Sequence, residues 1–196
     1  MRVWMGALAA LTGLVLAVPV PAQDLPSGRE AQRMLFSPRG QAEAVVVPDD
    51  SLNPREIALL ETVLSEGVLP DMLYYGALAI APDAGLANPT TTIAVGNYHD
   101  EVSARTAALE RCDAAREGQG APCVVVLLVR PRGWEPGAAL QLSASASAVL
   151  RGDYRRADAP KALAISPLSG AWGIGDSAEA ANEACGQPDC RVVIAD

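Results

Sequence analysis

Ala77-Leu78-Ala79-Ile80-Ala81-Pro82 and Ala162-Leu163-Ala164-Ile165-Ser166-Pro167 are two versions of one phrase, and the chain after each repeats the same order. The first is followed by Gly85, a β-branched run from Thr91 to Val95, a small-residue helical pattern ending at Cys112, and Cys123-Val124-Val125-Val126. The second is followed by Gly170, Ala171-Trp172-Gly173-Ile174-Gly175, a similar pattern ending at Cys185, and Cys190-Arg191-Val192-Val193-Ile194. Apolar and β-branched runs bounded by Pro and Gly read as strands. Ala104, Ala108 and Cys112 recur every fourth residue, as do Ala181 and Cys185, so each set shares one helix face, and its small side chains admit close packing on a sheet. Each copy therefore predicts a β-β-α-β unit. Two such units most simply share one mainly antiparallel sheet with helices on one side, an α+β class.

The cysteines fit the same scheme. In each copy the first closes a helix and the second opens the next strand, where two backbones come within bridging distance, so disulfides Cys112–Cys123 and Cys185–Cys190 are expected. Loops this short contribute roughly 2 to 3 kcal/mol per bridge in the loop-entropy account. Zinc is the competing use of four cysteines. Intervals of ten and four residues do not match Cys-x-x-Cys knuckles, however, and His99, the only histidine, does not complete a ligand set.

Met1 and Arg2 open a run, residues 3–18, that is apolar or small throughout and is closed by Pro19, Pro21 and Ala22. A short basic start, an apolar middle and a small-residue end form a signal peptide at 1–22, with cleavage before Gln23. The run is short for a bilayer span of about 20 residues, so no stable membrane anchor is expected after cleavage. The whole chain has 15 basic against 23 acidic residues; losing Arg2 leaves 14 − 23 = −9. Such a charge argues against nucleic acid or an anionic membrane surface as partner, because phosphate binding needs clustered cations. The one basic cluster, Arg151, Arg155 and Arg156, is broken by Asp153 and Asp158 and reads as a solvated helix face. Export and disulfides together point to a periplasmic or secreted product.

Half the residues are apolar, but much of that is Ala and Val with a single Phe, so the core must come from close backbone approach more than from large side chains. Residues 23–72 form a lead-in with a short strand at 44–47 and a helix at 54–66, begun by Asn53 and Pro54 and stopped at Gly67. Residues 73–130 hold the first unit and 160–196 the second. Between them 131–159 is a linker of turns, with a strand ending near Leu142 and a helix from about 144 to 155.

Candidates for chemistry are few. His99 stands among Tyr98, Asp100 and Glu101 at a strand-to-helix junction, where a His beside a carboxylate can serve as a base, or simply cap and pack. No nucleophile motif accompanies it. Tyr98, Trp134 and Trp172 are among the few large aromatics, and with His99 they mark a possible binding surface if they are exposed together, or fill the core if they are not. Lys161 is the only lysine and reads as an exposed charge at the start of a strand.

Ala162-Leu163-Ala164-Ile165-Ser166, Ala171-Trp172-Gly173-Ile174-Gly175, the Ala-rich helix ending at Cys185 and Cys190-Arg191-Val192-Val193 resemble a family of small secreted bacterial proteins known as a domain of unknown function. The resemblance covers 160–196 closely and 74–130 more loosely. Its motifs are structural, and it carries over no catalytic residue, ligand residue or cofactor. The whole chain also resembles exported alphaproteobacterial proteins labelled 5-aminolevulinate synthase, which would imply a pyridoxal-phosphate enzyme. The residues offer only Lys161 for a Schiff base and no Gly-rich phosphate turn, so no cofactor is expected. The sequence thus points to an exported, non-enzymatic binding module for an envelope protein or small ligand. Its alternatives are a small periplasmic enzyme using His99 with a nearby carboxylate and a structural or stress-related envelope protein.

Overall fold

The structure, a computed structural model, describes residues 25–36, 42–65 and 73–196; the expected signal peptide and the helix stop at Gly67 lie outside the described residues. The class is α+β, with seven strands in two antiparallel sheets among the described residues. The first sheet has the order β1 (Ala42–Val46), β4 (Val124–Pro131), β2 (Gly76–Ile80), β3 (Ile93–Val95). The second has the order β6 (Trp172–Gly175), β5 (Ala162–Ile165), β7 (Arg191–Ala195). Within each unit the Ala-Leu-Ala-Ile strand is central. In both, the register to the last strand shifts between the Leu and the second Ala, at Leu78/Ala79 and at Leu163/Ala164.

The units do not share a sheet, which corrects the simplest expectation. The lead-in strand β1 pairs along β4, with Val45 opposite Leu128, and so occupies the edge on which the second unit would have added. Helices also cover both faces of each sheet rather than one. The burial of the central strands dictates this: β2 and β5 are apolar on both faces, and a sheet with no polar face needs cover on each side. On the first sheet, α3 (Glu101–Ala115) lays Ala104, Ala107, Ala108 and Cys112 against Ala77, Ala79 and Val125. The opposite face, with Ile80, Val126 and Leu127, is covered by Leu60 of α2 (Pro54–Ser65). On the second sheet α5 (Ala178–Cys185) brings Ala181 and Cys185 to Ala162 and Ala164. Leu163, Ile165 and Ile194 face Ala31 of α1 (Gly28–Met34), Val149 of α4 (Ala144–Val149), and Leu150 and Tyr154 of the π-helical turn Leu150–Tyr154 that continues α4.

The caps follow the sequence. Asn53 Oδ1 accepts from the Glu56 N–H at 3.1 Å while Glu56 Oε2 accepts from the Asn53 N–H at 3.0 Å, a reciprocal box that starts α2. Asp100 caps α3 through the Ser103 N–H, and Ser177 caps α5 through the Ala180 N–H. In the lead-in, Ser27 and Glu30 box α1, and the Gly28 N–H donates to the Asp196 carboxylate at 3.1 Å. The disulfides are Cys112–Cys123 and Cys185–Cys190, with Cα separations of 6.0 and 6.2 Å, each tying a helix to the strand that follows it.

The strand expected to end near Leu142 is not formed. Leu140 and Leu142 are buried, but the next backbone donors leave the sheet pattern: the Ser143 N–H bonds His99 Nδ1 and the Ala144 N–H bonds the Tyr74 carbonyl. Of the β-branched run from Thr91 to Val95 only Ile93–Val95 forms a strand. Thr92 is held in a loop instead, its N–H on the Asn88 carbonyl and its hydroxyl on the Leu86 carbonyl.

Candidate functional site

The two units meet where β3 hands over to α3, and the residues there are the ones singled out around His99. Asn97 adopts φ +66, a left-handed conformation that asparagine tolerates better than most residues. This turns its side chain onto Ser145: the amide nitrogen donates to Ser145 Oγ at 2.8 Å and the amide oxygen accepts the Ser145 N–H at 3.1 Å. From the second unit, Trp172 Nε1 donates to the same Ser145 hydroxyl at 3.0 Å. Gly170, at φ +76, lies so close to Asn97 that a Cβ on it would stand 2.4 Å from the Asn97 carbonyl oxygen. The first unit, the connector and the second unit are thus bound through one polar knot.

His99 lies inside this knot, 1% exposed. Nδ1 accepts the Ser143 N–H at 3.1 Å and Nε2 stands 2.9 Å from the Ala171 carbonyl oxygen. A backbone N–H can only donate and a carbonyl only accept, so the imidazole is neutral with its proton on Nε2. Burial lowers its pKa, outweighing the opposite pull of the Ala171 carbonyl, Asp100 and Asp189. A second proton on Nδ1 would meet the Ser143 N–H head on. Neither nitrogen is free to take a proton from a substrate, and the Asp100 carboxylate is occupied by the Ser103 N–H at 2.7 Å.

A cleft of about 200 Å³ opens beside this knot. His99 and Asp100 wall it from the first unit, residues 138–141 from the connector, and Ile165, Pro167, Arg191 and Val193 from the second unit. The other three residues of the expected aromatic surface do not line it. Tyr98 is 4% exposed and its hydroxyl accepts from Arg111 at 2.9 Å. Trp134 is half-buried on the first core under Arg130, whose guanidinium carbon lies 4.1 Å from the ring centroid. Trp172 packs on the second core. The four residues form no shared exposed patch: two are core and two are half-buried hydrogen-bond donors.

What sequence reasoning missed is the polar partners. Ser143 and Ser145 stand at the start of the helix expected from about 144, and their meeting with His99, Asn97 and Trp172 is made over separations of 44, 48 and 27 residues. Beside the joint, Ser166 is fully buried and donates to Asp189 at 2.8 Å. Although burial works the other way, the Leu168 N–H and the Ser166 hydroxyl hold the Asp189 carboxyl below its ordinary range. Among the described residues no three His, Cys, Asp or Glu side chains come together as a metal site. No helix there is long and apolar enough to cross a membrane. No family model, curated protein or solved structure matches the chain.

Proposed function

We propose that the chain is an exported, non-enzymatic interaction module, working in the periplasm or outside the cell, and that its partner or ligand engages the cleft at the joint between the two units. One observation carries the reading: the only imidazole of the chain borders that cleft with both nitrogens bonded to backbone groups, so it is not available there as a base. The two most exposed large apolar side chains support the same location. Val102, 73% exposed, follows cleft-lining Asp100 by two residues, and Leu168, 70% exposed, is next to cleft-lining Pro167. Exposed apolar groups beside a cleft are the usual mark of an interaction site. The two disulfides fit an oxidising, extracytoplasmic compartment. The equivalent strand orders and equivalent register shifts support an origin of the units by internal duplication.

Photo-crosslinking in the producing cell tests the location. A photoreactive residue at Val102 or Leu168 should give the same discrete adduct, while one at the exposed helix position Glu183, away from the cleft lining, should not. Adducts from all three positions alike, or a purified chain that turns over ester, peptide or phosphate-ester substrates and loses that turnover on His99→Gln while still folded, would contradict the proposal.

A further inference from the structure

We propose that the seam between α1 and the second unit is a binding site for a small oxyanion, a phosphate monoester being the class its charges fit best. The seam opens into a cleft of about 300 Å³, at the lower end of the range for small-molecule sites. Its walls carry three cations, Arg29, Arg155 and Lys161, and one carboxylate, Asp196. Three cations thus face one side-chain carboxylate in a chain whose formal charge is −8. Their charges are not consumed internally. The Arg29 and Arg155 guanidinium groups make no hydrogen bond or ion pair with any described residue, and Lys161 Nζ spends one of its protons on the Ala157 carbonyl at 2.6 Å. Asp196, by contrast, is committed: its two carboxylate oxygens lie 3.1 and 3.2 Å from the Gly28 N–H.

The backbone is shaped to form this seam. Residues Leu150–Tyr154 make a π-helical turn, a rare local form found often at functional sites. One extra residue in a turn rotates every later side chain by about 100° relative to a continuous α-helix. That rotation sets Tyr154 under Lys161, whose Nζ is 5.2 Å from the ring centroid, and brings Arg155 to the cleft wall. Opposite it Gly28 is required for close approach, since a Cβ there would stand 2.6 Å from Tyr154 Cε1 and 2.8 Å from Asp196 Oδ2. The basic cluster that reads in the sequence as a solvated face is therefore divided. Arg151 donates to the Phe36 carbonyl at 2.8 Å and Arg156 pairs with Asp153, while Arg155 is left for the cleft. Two guanidinium forks and an ammonium suit the three oxygens and near-double charge of a phosphate monoester.

The inference does not depend on the joint cleft, and either can fail alone. Calorimetric titration of the purified chain with glycerol 3-phosphate, with sedimentation on vesicles containing phosphatidic acid as a second arm, tests it. Wild type and the control Arg132→Gln, an exposed arginine outside the seam, should bind saturably, and Arg29→Gln and Arg155→Gln should bind about tenfold more weakly, the loss of one charge-assisted hydrogen bond. Both substitutions are at exposed positions, and unchanged melting temperatures verify their folds. Binding of the soluble phosphate marks a free ligand. Binding only to vesicles, lost in the same variants, marks a lipid headgroup as the source of the same chemistry. No binding in either arm, or binding weakened equally by Arg132→Gln, overturns the proposal.

Discussion

The imidazole of His99 is fixed in one tautomer by two backbone groups from different parts of the chain, and its removal has a calculable cost. His99→Ala leaves the Ser143 N–H buried without a partner, while the Ala171 carbonyl keeps the Ser166 N–H at 2.9 Å, and should destabilise the fold by about 2 kcal/mol. Its titration has a definite sign. Burial lowers the folded pKa below the unfolded 6.5, so above pH 6.5 the ring is neutral in both states and its contribution is fully present. As pH falls below 6.5 the unfolded chain takes up the proton first, and stability declines until the folded pKa is reached. The lowered Asp189 adds an acid-side loss of its own, but only below its ordinary value of 3.8. Urea midpoints should therefore fall between pH 6.5 and the carboxylate range in wild type and stay level in His99→Gln; equal slopes in the two proteins would show that His99 is not buried neutral.

Among the elements, β6 carries glycine where the first unit has larger side chains: Gly173 pairs with Ala164 as Ile93 pairs with Ala79, and Gly175 with Ala162 as Val95 with Ala77. A Cβ on Gly173 would stand 2.2 Å from the Cys185 nitrogen and 2.6 Å from the Ala181 carbonyl oxygen, so β6 lies directly on the backbone of α5. Gly173→Ala must push that helix away, while Gly133→Ala meets no packing and bears only the strain of its φ of +76; the first should lose about 2 to 3 kcal/mol in denaturant unfolding, the second about 1 kcal/mol. A mild effect at Gly173 would mean that helix and strand are not in contact. This close packing was legible in a sequence with one Phe and abundant Ala, as were the cap at Asn53 and both disulfides, because each rests on residues near in sequence. The division into two sheets was not legible: it turns on β1 taking the β4 edge, a pairing across some 85 residues such as Val45 with Leu128. The site was half legible. His99 stood out as the lone imidazole, but nothing local told that Ser143 and Ala171 would consume both its nitrogens, or that Tyr98 would turn inward to Arg111.

For the whole molecule, two stapled units are joined by buried polar contacts rather than by a continuous sheet, and a cleft lies along that joint. Such a molecule suits an oxidising compartment, where its bridges persist. The decisive measurement is the intact mass of the chain recovered from cells that produce it, with and without reduction and alkylation. A mass lacking residues 1–22 and lower by the four hydrogens of two disulfides is expected, with no thiol alkylated until reduction. A full-length mass with four alkylatable thiols would contradict it, and would return the cysteines to consideration as a metal or redox site.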